Sequence, residues 1–141
     1  MKIRQGFVSN SSSSSFVILK GFLTEEQILS IYDYEEHVEK YLKIHPIPEN
    51  GYYDIEDSPE FDFTYVDSGW VLKDYDEFIF GVTGMDNFDF GEFFRYIKID
   101  KNCVDWDEGY ITEPTANQKS FLKNENKRLR KLKLNQIKDE N

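Results

Sequence analysis

The chain has 141 residues, of which 39% are hydrophobic and 16% aromatic, a composition that allows a buried core and excludes wholesale disorder. Its single cysteine excludes an intramolecular disulfide, and no apolar run reaches the roughly 18 residues of a membrane span or resembles a signal peptide. Acidic residues outnumber basic ones by 27 to 17, which gives a net charge of −10. We therefore expect a soluble protein of a reducing cytoplasm, without membrane contact.

The charge is distributed unevenly along the chain. Residues 25–113 hold 24 acids and six bases, whereas residues 114–141 hold eight bases and three acids. The first 24 residues carry three bases and no acid. This pattern predicts an acidic domain over residues 1–113, including an N-terminal serine run, followed by a basic C-terminal helix or tail over residues 114–141.

The first predicted elements are two strands separated by serines. Residues 2–8 have a strand-like composition, and residues 16–19 form an apolar block typical of a buried strand. The serine run, residues 11–15, is therefore tied to a core element, and we expect a hydrogen-bonded sheet edge or a short recognition tag. A nucleophilic serine or a phosphate loop is disfavoured because neither the Gly-x-Ser-x-Gly elbow nor the Gly-x-x-x-x-Gly-Lys order is present.

The same stretch carries a resemblance. Gly-Phe-Val-Ser-Asn at residues 6–10, the serine run and the following Phe-Val resemble the N-terminus of a group of small, mostly uncharacterised proteins of bacteriophages and prophages. The resemblance covers about the first 20 residues and is specific because of the order of these residues. It implies a phage setting, and hence the host bacterial cytoplasm, and it implies no particular activity.

A long helix is predicted next. Thr24 and Gln27 form a capping box, and apolar residues follow at helical spacing. The helix should run for about 20 residues and end before His45-Pro46, because a residue that precedes proline avoids helical geometry.

The middle of the chain changes to the period of a strand. Residues 61–66 alternate between apolar and polar side chains, and Ser68-Gly69 suits a hairpin turn into residues 70–72. Residues 77–83 read as a more central strand because they are almost continuously apolar. Residues 93–99 fit either a strand or a short helix.

Thr115 and Gln118 make a second capping box, which predicts a helix as far as about Ile137 whose second half is basic with interleaved leucines. The fold class is therefore α+β: a mostly antiparallel sheet with one long amphipathic helix packed on it and a basic C-terminal helix.

Residues suited to catalysis or metal binding are sparse. His37 and His45 lack the spacing of metal ligands, and Cys103 is most simply a small buried hydrophobe. The acids near Asp54 and Asp86 do not match a calcium loop. We expect no cofactor, no metal and no enzymatic activity.

The acidic middle of the chain gives the main functional signal. Residues 49–92 hold 13 acids and one base, interleaved with aromatic side chains. On alternating strands the aromatics enter the core and the carboxylates line one outer face, which resembles a row of phosphates. The alternative is a solvated surface that only confers solubility. The predicted partner-binding residues are Asp54, Glu56, Asp57, Asp62, Asp67, Asp74, Asp76, Asp86 and Asp89.

These observations predict a phage-encoded, non-catalytic interaction protein. Its acidic face would mimic nucleic acid and inhibit a host nucleic-acid-binding protein, such as a defence nuclease or a transcription factor. Direct nucleic-acid binding is not expected because the acidic body repels a polyanion. A structural or assembly protein that binds through its C-terminal helix is the alternative, and a metal-dependent nucleotide enzyme is the third. The alternative uses a second contact made of Arg128, Leu129, Arg130 and Leu132.

Overall fold

Helices pack on both faces of an antiparallel sheet, which confirms the α+β class. The computed structural model describes residues 13–46, 61, 69–84, 88–109 and 111–140, with side chains of the last helix described as far as residue 136. Within these ranges the strands are β1 (Ser14–Leu19), β2 (Val71–Asp74), β3 (Phe78–Thr83) and β4 (Val104–Glu108). The helices are α1 (Glu25–Tyr32), α2 (Tyr34–Ile44), α3 (Phe90–Tyr96) and α4 (Ala116–Glu140). None of these helices is long and apolar enough to cross a membrane.

Strand β1 is an interior strand of the sheet, whose order is β2-β3-β1-β4. It pairs antiparallel with β3 on one side and with β4 on the other, and all six of its residues are buried. The predicted strand over residues 16–19 is confirmed and begins two residues earlier, at Ser14. The end of the serine run is thus part of the sheet interior and not of a sheet edge, because partners on both sides satisfy its backbone. Residues 2–8 lie outside the described ranges.

Alternation along β1 creates two separate clusters of buried side chains. Phe16 and Ile18 face helices α1 to α3 and belong to a large aromatic cluster. Val17 and Leu19 face the opposite side, where they pack with Leu122 of α4. Phe16 also requires a glycine at position 81 of β3, because a Cβ atom there would collide with the Phe16 ring. The sheet is therefore the middle of three layers.

The first predicted helix is present, but it is divided in two. The Thr24–Gln27 capping box is confirmed: Gln27 N–H donates to Thr24 Oγ1 at 3.1 Å, and Thr24 N–H donates to Gln27 Oε1 at 3.0 Å. The predicted end before His45 is also confirmed. Asp33 separates α1 from α2 with φ −102° and ψ 27°. The prediction of one continuous helix is wrong at this residue. Aspartate has a low helix propensity, which is consistent with a break here. The spacing of the apolar residues continues across Asp33 and therefore does not reveal the break.

The other predicted elements have mixed outcomes. The hairpin strand near residues 70–72 and the strand over residues 77–83 are confirmed as β2 and β3. The ambiguous segment over residues 93–99 contributes to a helix, α3, because Phe90, Phe93 and Phe94 bury one helical face. Apart from Phe61, the predicted strand over residues 61–66 lies outside the described ranges.

Two C-terminal elements complete the fold. Strand β4 was not predicted, although Val104 and Trp106 alternate with acids at the period of a strand. The Thr115–Gln118 capping box at the start of α4 is confirmed by hydrogen bonds of 3.0 and 3.1 Å. The first half of α4 lies on the sheet through Gln118 and Leu122, so it is part of the core.

Candidate partner-binding surfaces

Three of the nine residues of the predicted acidic face lie within the described ranges. Asp74, Asp76 and Asp89 are described, and they lie in different environments. The remaining six predicted contacts lie outside the described ranges: Asp54, Glu56, Asp57, Asp62, Asp67 and Asp86.

Asp74 ends strand β2 in an ion pair. Its Oδ1 atom lies 2.6 Å from Lys20 Nζ and also accepts the backbone N–H of Asp76 at 2.8 Å. The Lys20 hydrogen bond, followed by that of the Asp76 backbone, lowers the pKa of Asp74. Burial, and then the Asp74 carboxylate, raises the pKa of Tyr32. Asp74 therefore links the hairpin to the turn after β1, whereas Asp76 is exposed at the hairpin itself.

Asp89 is not on the surface. It is 4% exposed, and its Oδ1 atom accepts the backbone N–H of Glu92 at 3.0 Å as the N-cap of α3. A carboxylate at a helix N-terminus satisfies a backbone donor of its own chain, and the burial of Asp89 argues against its predicted contact with a partner.

A second group of carboxylates was overlooked as a surface in the sequence. Six acids and no base occur over residues 25–39, and all six side chains are exposed, away from the buried Ile31, Tyr34 and Val38. Among the described residues, only Glu36 has a cation nearby, with Lys40 Nζ at 3.9 Å. We call this surface the acidic helix face; it consists of Glu25, Glu26, Asp33, Glu35, Glu36 and Glu39.

Strand β4 carries a further acidic group with a structural explanation. Burial, and then the neighbouring Asp107, raises the pKa of Asp105. Within the described sheet β4 is an edge strand, and charged side chains on an edge prevent pairing with other chains. We therefore assign Asp105 and Asp107 to protection of the edge.

Helix α4 presents cations to an open groove of about 700 Å³ beside the β2–β3 hairpin. Tyr75 and Phe78 lie on the hairpin side with parallel rings, 4.8 Å between centroids. We call this feature the basic groove, and its lining includes two glutamates and two buried apolar residues. The lining residues are Lys119, Lys123, Lys127, Arg130, Asn126, Tyr75, Phe78, Glu77, Glu113, Pro114 and Leu122.

Two of the four predicted contacts on the C-terminal helix touch other parts of their own chain. Arg128 Nη2 lies 2.7 Å from Glu125 Oε2, and the guanidinium lies 4.0 Å from the centre of the Phe22 ring. Leu129 packs against the backbone of Gly21. Both residues therefore contact their own chain, but the Arg128 side chain is still 46% exposed, so a partner contact of Arg128 and Leu129 stays a prediction. Arg130 lines the basic groove, and Leu132 is 45% exposed.

Cys103 behaves as the sequence predicts. It is 8% exposed, and burial raises the pKa of its thiol in spite of the Arg128 guanidinium 3.7 Å from its sulfur. The neutral thiol therefore predominates at neutral pH, and it is a poor nucleophile.

Neither a metal-binding group of side chains nor a known relative indicates an activity for the described part of the chain. The part of the chain that the structure describes contains no group of three or more His, Cys, Asp or Glu side chains that could hold a metal ion. Both predicted non-ligand histidines lie beside aromatic rings: the ring centroids of His37 and Phe93 are 6.4 Å apart, and those of His45 and Tyr41 are 4.6 Å apart. No family model, curated protein or solved structure matches the chain.

Proposed function

We propose that the protein is a non-catalytic interaction protein whose carboxylates occupy the nucleic-acid-binding site of a basic partner. The observation that supports this proposal best is the acidic helix face, where six exposed carboxylates have one cation, Lys40, nearby among the described residues. The resemblance of residues 6–17 to phage proteins supports a host bacterial protein as the partner and the host cytoplasm as the location.

The charge density of the acidic helix face resembles that of a nucleic-acid strand. One continuous helix over residues 25–39 would span about 22 Å at a rise of about 1.5 Å per residue. Because the chain is divided at Asp33, the six carboxylates occupy at most about this length, which gives at least roughly one charge per 4 Å. A strand of B-DNA carries about one charge per 3.4 Å along its axis. Because two helices that pack on the core hold these carboxylates, their spacing is set before a partner binds, which lowers the cost of association.

The predicted acids in the middle of the chain extend this proposal. Asp76 is exposed and accessible to a partner, whereas Asp74 is engaged by Lys20 and Asp89 is buried. We therefore retain Asp54, Glu56, Asp57, Asp62, Asp67, Asp76 and Asp86 as proposed contacts. Electrostatic steering by such a surface accelerates encounter with a basic protein and weakens with salt.

Capture from a bacterial lysate tests the proposal. Proteins held by the immobilised chain should elute with duplex DNA, and they should also elute as salt rises from roughly 0.05 to 0.5 M. The variant Glu35→Gln/Glu36→Gln/Glu39→Gln removes three charges and keeps the side-chain shape. It should weaken capture about tenfold, since each exposed charge contributes up to about 1 kcal/mol.

The matched control removes three charges elsewhere. Asp100→Asn/Asp107→Asn/Glu108→Gln has the same net charge as the test variant and should capture normally. If both variants lose the same amount of captured protein, the effect depends only on net charge and not on the acidic helix face. Capture that resists both duplex DNA and salt would reject mimicry.

A structural or assembly protein is the second candidate, and one observation favours it. Leu132 and Leu134 are 45% and 57% exposed on the half of α4 that extends past the core contacts. Truncation after Lys131 removes both leucines and keeps Leu122 and Leu129. If this truncation abolishes capture while the three-glutamine variant captures normally, the assembly function replaces mimicry.

A further inference from the structure

The basic groove is a second surface, and its row of cations is opposite in sign to the net charge of residues 25–113. Its cationic wall consists of Lys119, Lys123, Lys127 and Arg130, which follow one another on α4 at intervals of four, four and three residues. These intervals place all four side chains on one side of a helix. They are exposed over a length of about 16 Å, since a helix rises about 1.5 Å per residue.

The four cations of this wall have no ion-pair partner among the residues that the structure describes. Lys20 pairs with Asp74, Lys40 with Glu36, Arg95 with Glu92 and Arg128 with Glu125. Other lysines within the described ranges, such as Lys98 and Lys101, also lack an ion pair there. What distinguishes the four cations of the wall is their position, because they line one concave surface, where their charges add up along the groove.

Beside the cationic wall, the groove lining has an apolar and aromatic part. The Tyr75 ring, 39% exposed, stacks on Phe78, and Leu122 and Pro114 contribute to the lining. A ligand must therefore bring an apolar side for this surface together with anions for the lysines. An amphipathic peptide segment that lies along a groove meets both requirements.

We propose that the basic groove binds an acidic, amphipathic peptide segment of a partner protein. The lysines recur about every 6 Å, which is also the rise between acids four residues apart on a partner helix. A nucleic-acid strand fits less well, because Glu77 and Glu113 also line the groove and the net charge of −10 opposes a polyphosphate.

Selection from a displayed library of random peptides, about twelve residues long to match the cationic wall, tests this proposal on the full chain. The enriched peptides should combine Asp or Glu with Phe, Tyr, Trp or Leu. The best peptide, labelled for fluorescence anisotropy, should then bind Lys123→Glu/Lys127→Glu about tenfold more weakly than the unaltered chain.

The chain offers a matched control on the same helix. Lys131→Glu/Lys133→Glu makes the same change in net charge at exposed positions outside the groove, and it should leave peptide affinity within about twofold. Circular dichroism establishes that both variants fold.

Three results would overturn the proposal. The first is a selection that enriches no acidic peptide, and the second is an equal loss of affinity in the two variants. The third is groove-dependent binding of a single-stranded oligonucleotide of about twelve nucleotides without peptide binding, which would assign the groove to nucleic acid. Capture through the acidic helix face is measured separately, so neither proposal depends on the other.

Discussion

The two halves of α4 both contain lysines and leucines, but they have different roles. The first half places Gln118, Leu122 and Leu129 against the sheet and the turn after β1. In the second half, residues 130–136 are all exposed, including Leu132 and Leu134. Leucines interleaved with bases thus do not identify a partner-binding surface by themselves. The phase of the helix and its distance from the sheet decide which leucine is core and which is surface.

The largest expected effect is the loss of stability when Leu122, in the first half of α4, is truncated, and Leu132 in the second half provides the comparison. Leu122→Ala should lower the free energy of unfolding by about 2–5 kcal/mol, because Leu122 is 6% exposed and a cavity would remain beneath β1. Leu132→Ala should change it by less than about 0.5 kcal/mol. Urea unfolding followed by circular dichroism measures both. Equal destabilisation by the two substitutions would mean that the second half also packs on the body.

The contrast also shows how far the sequence specifies this fold. Local signals were sufficient for β1, for both capping boxes and for the end of α2 at Ile44, because each depends on residues close in the chain. The break at Asp33 and the strand β4 could not be predicted in the same way. The short strand β4 depends on its pairing with the distant β1, and a single aspartate within a helical pattern does not by itself mark a break.

Predicting the candidate surfaces was harder than predicting the fold. The acidity of residues 25–39 is visible in the sequence, but the exposure of all six acids depends on which side of α1 and α2 is buried. The basic groove joins α4 to Tyr75 and Phe78, which are remote in sequence. Asp89 and Arg128 carry charges that are used within the chain, as a helix cap and in an ion pair with Glu125, and the sequence does not reveal either use.

An intermediate effect is expected where the first half of α4 meets the serine run. Gln118 Nε2 donates to Ser15 Oγ at 3.0 Å, and both residues are 0% exposed. Ser15→Ala leaves this buried donor without its acceptor and should cost about 1–3 kcal/mol. Ser13→Ala, in the same run, should cost less than about 0.5 kcal/mol because the Ser13 contact to Gly109 uses the backbone carbonyl. Urea denaturation compares the two, and equal costs would contradict a specific role for the Ser15 hydroxyl.

The smallest expected effect concerns an exposed charge pair and depends on pH. The pKa of Asp74 is lowered in the folded chain, chiefly by Lys20, so the carboxylate stabilises the fold above its unfolded pKa of about 3.9. That stabilisation is lost as the pH falls through the lower pKa of the folded state. Asp74→Asn should therefore lower the Tm slightly at pH 7, and the difference should shrink progressively as the pH falls below the unfolded pKa of about 3.9. Asp76→Asn is the control, because Asp76 has no ion pair among the described residues and its positive φ of 72° also suits asparagine. A Tm difference for Asp74→Asn that persists unchanged at low pH would assign its effect to the hydrogen bond with the Asp76 backbone and not to the charge.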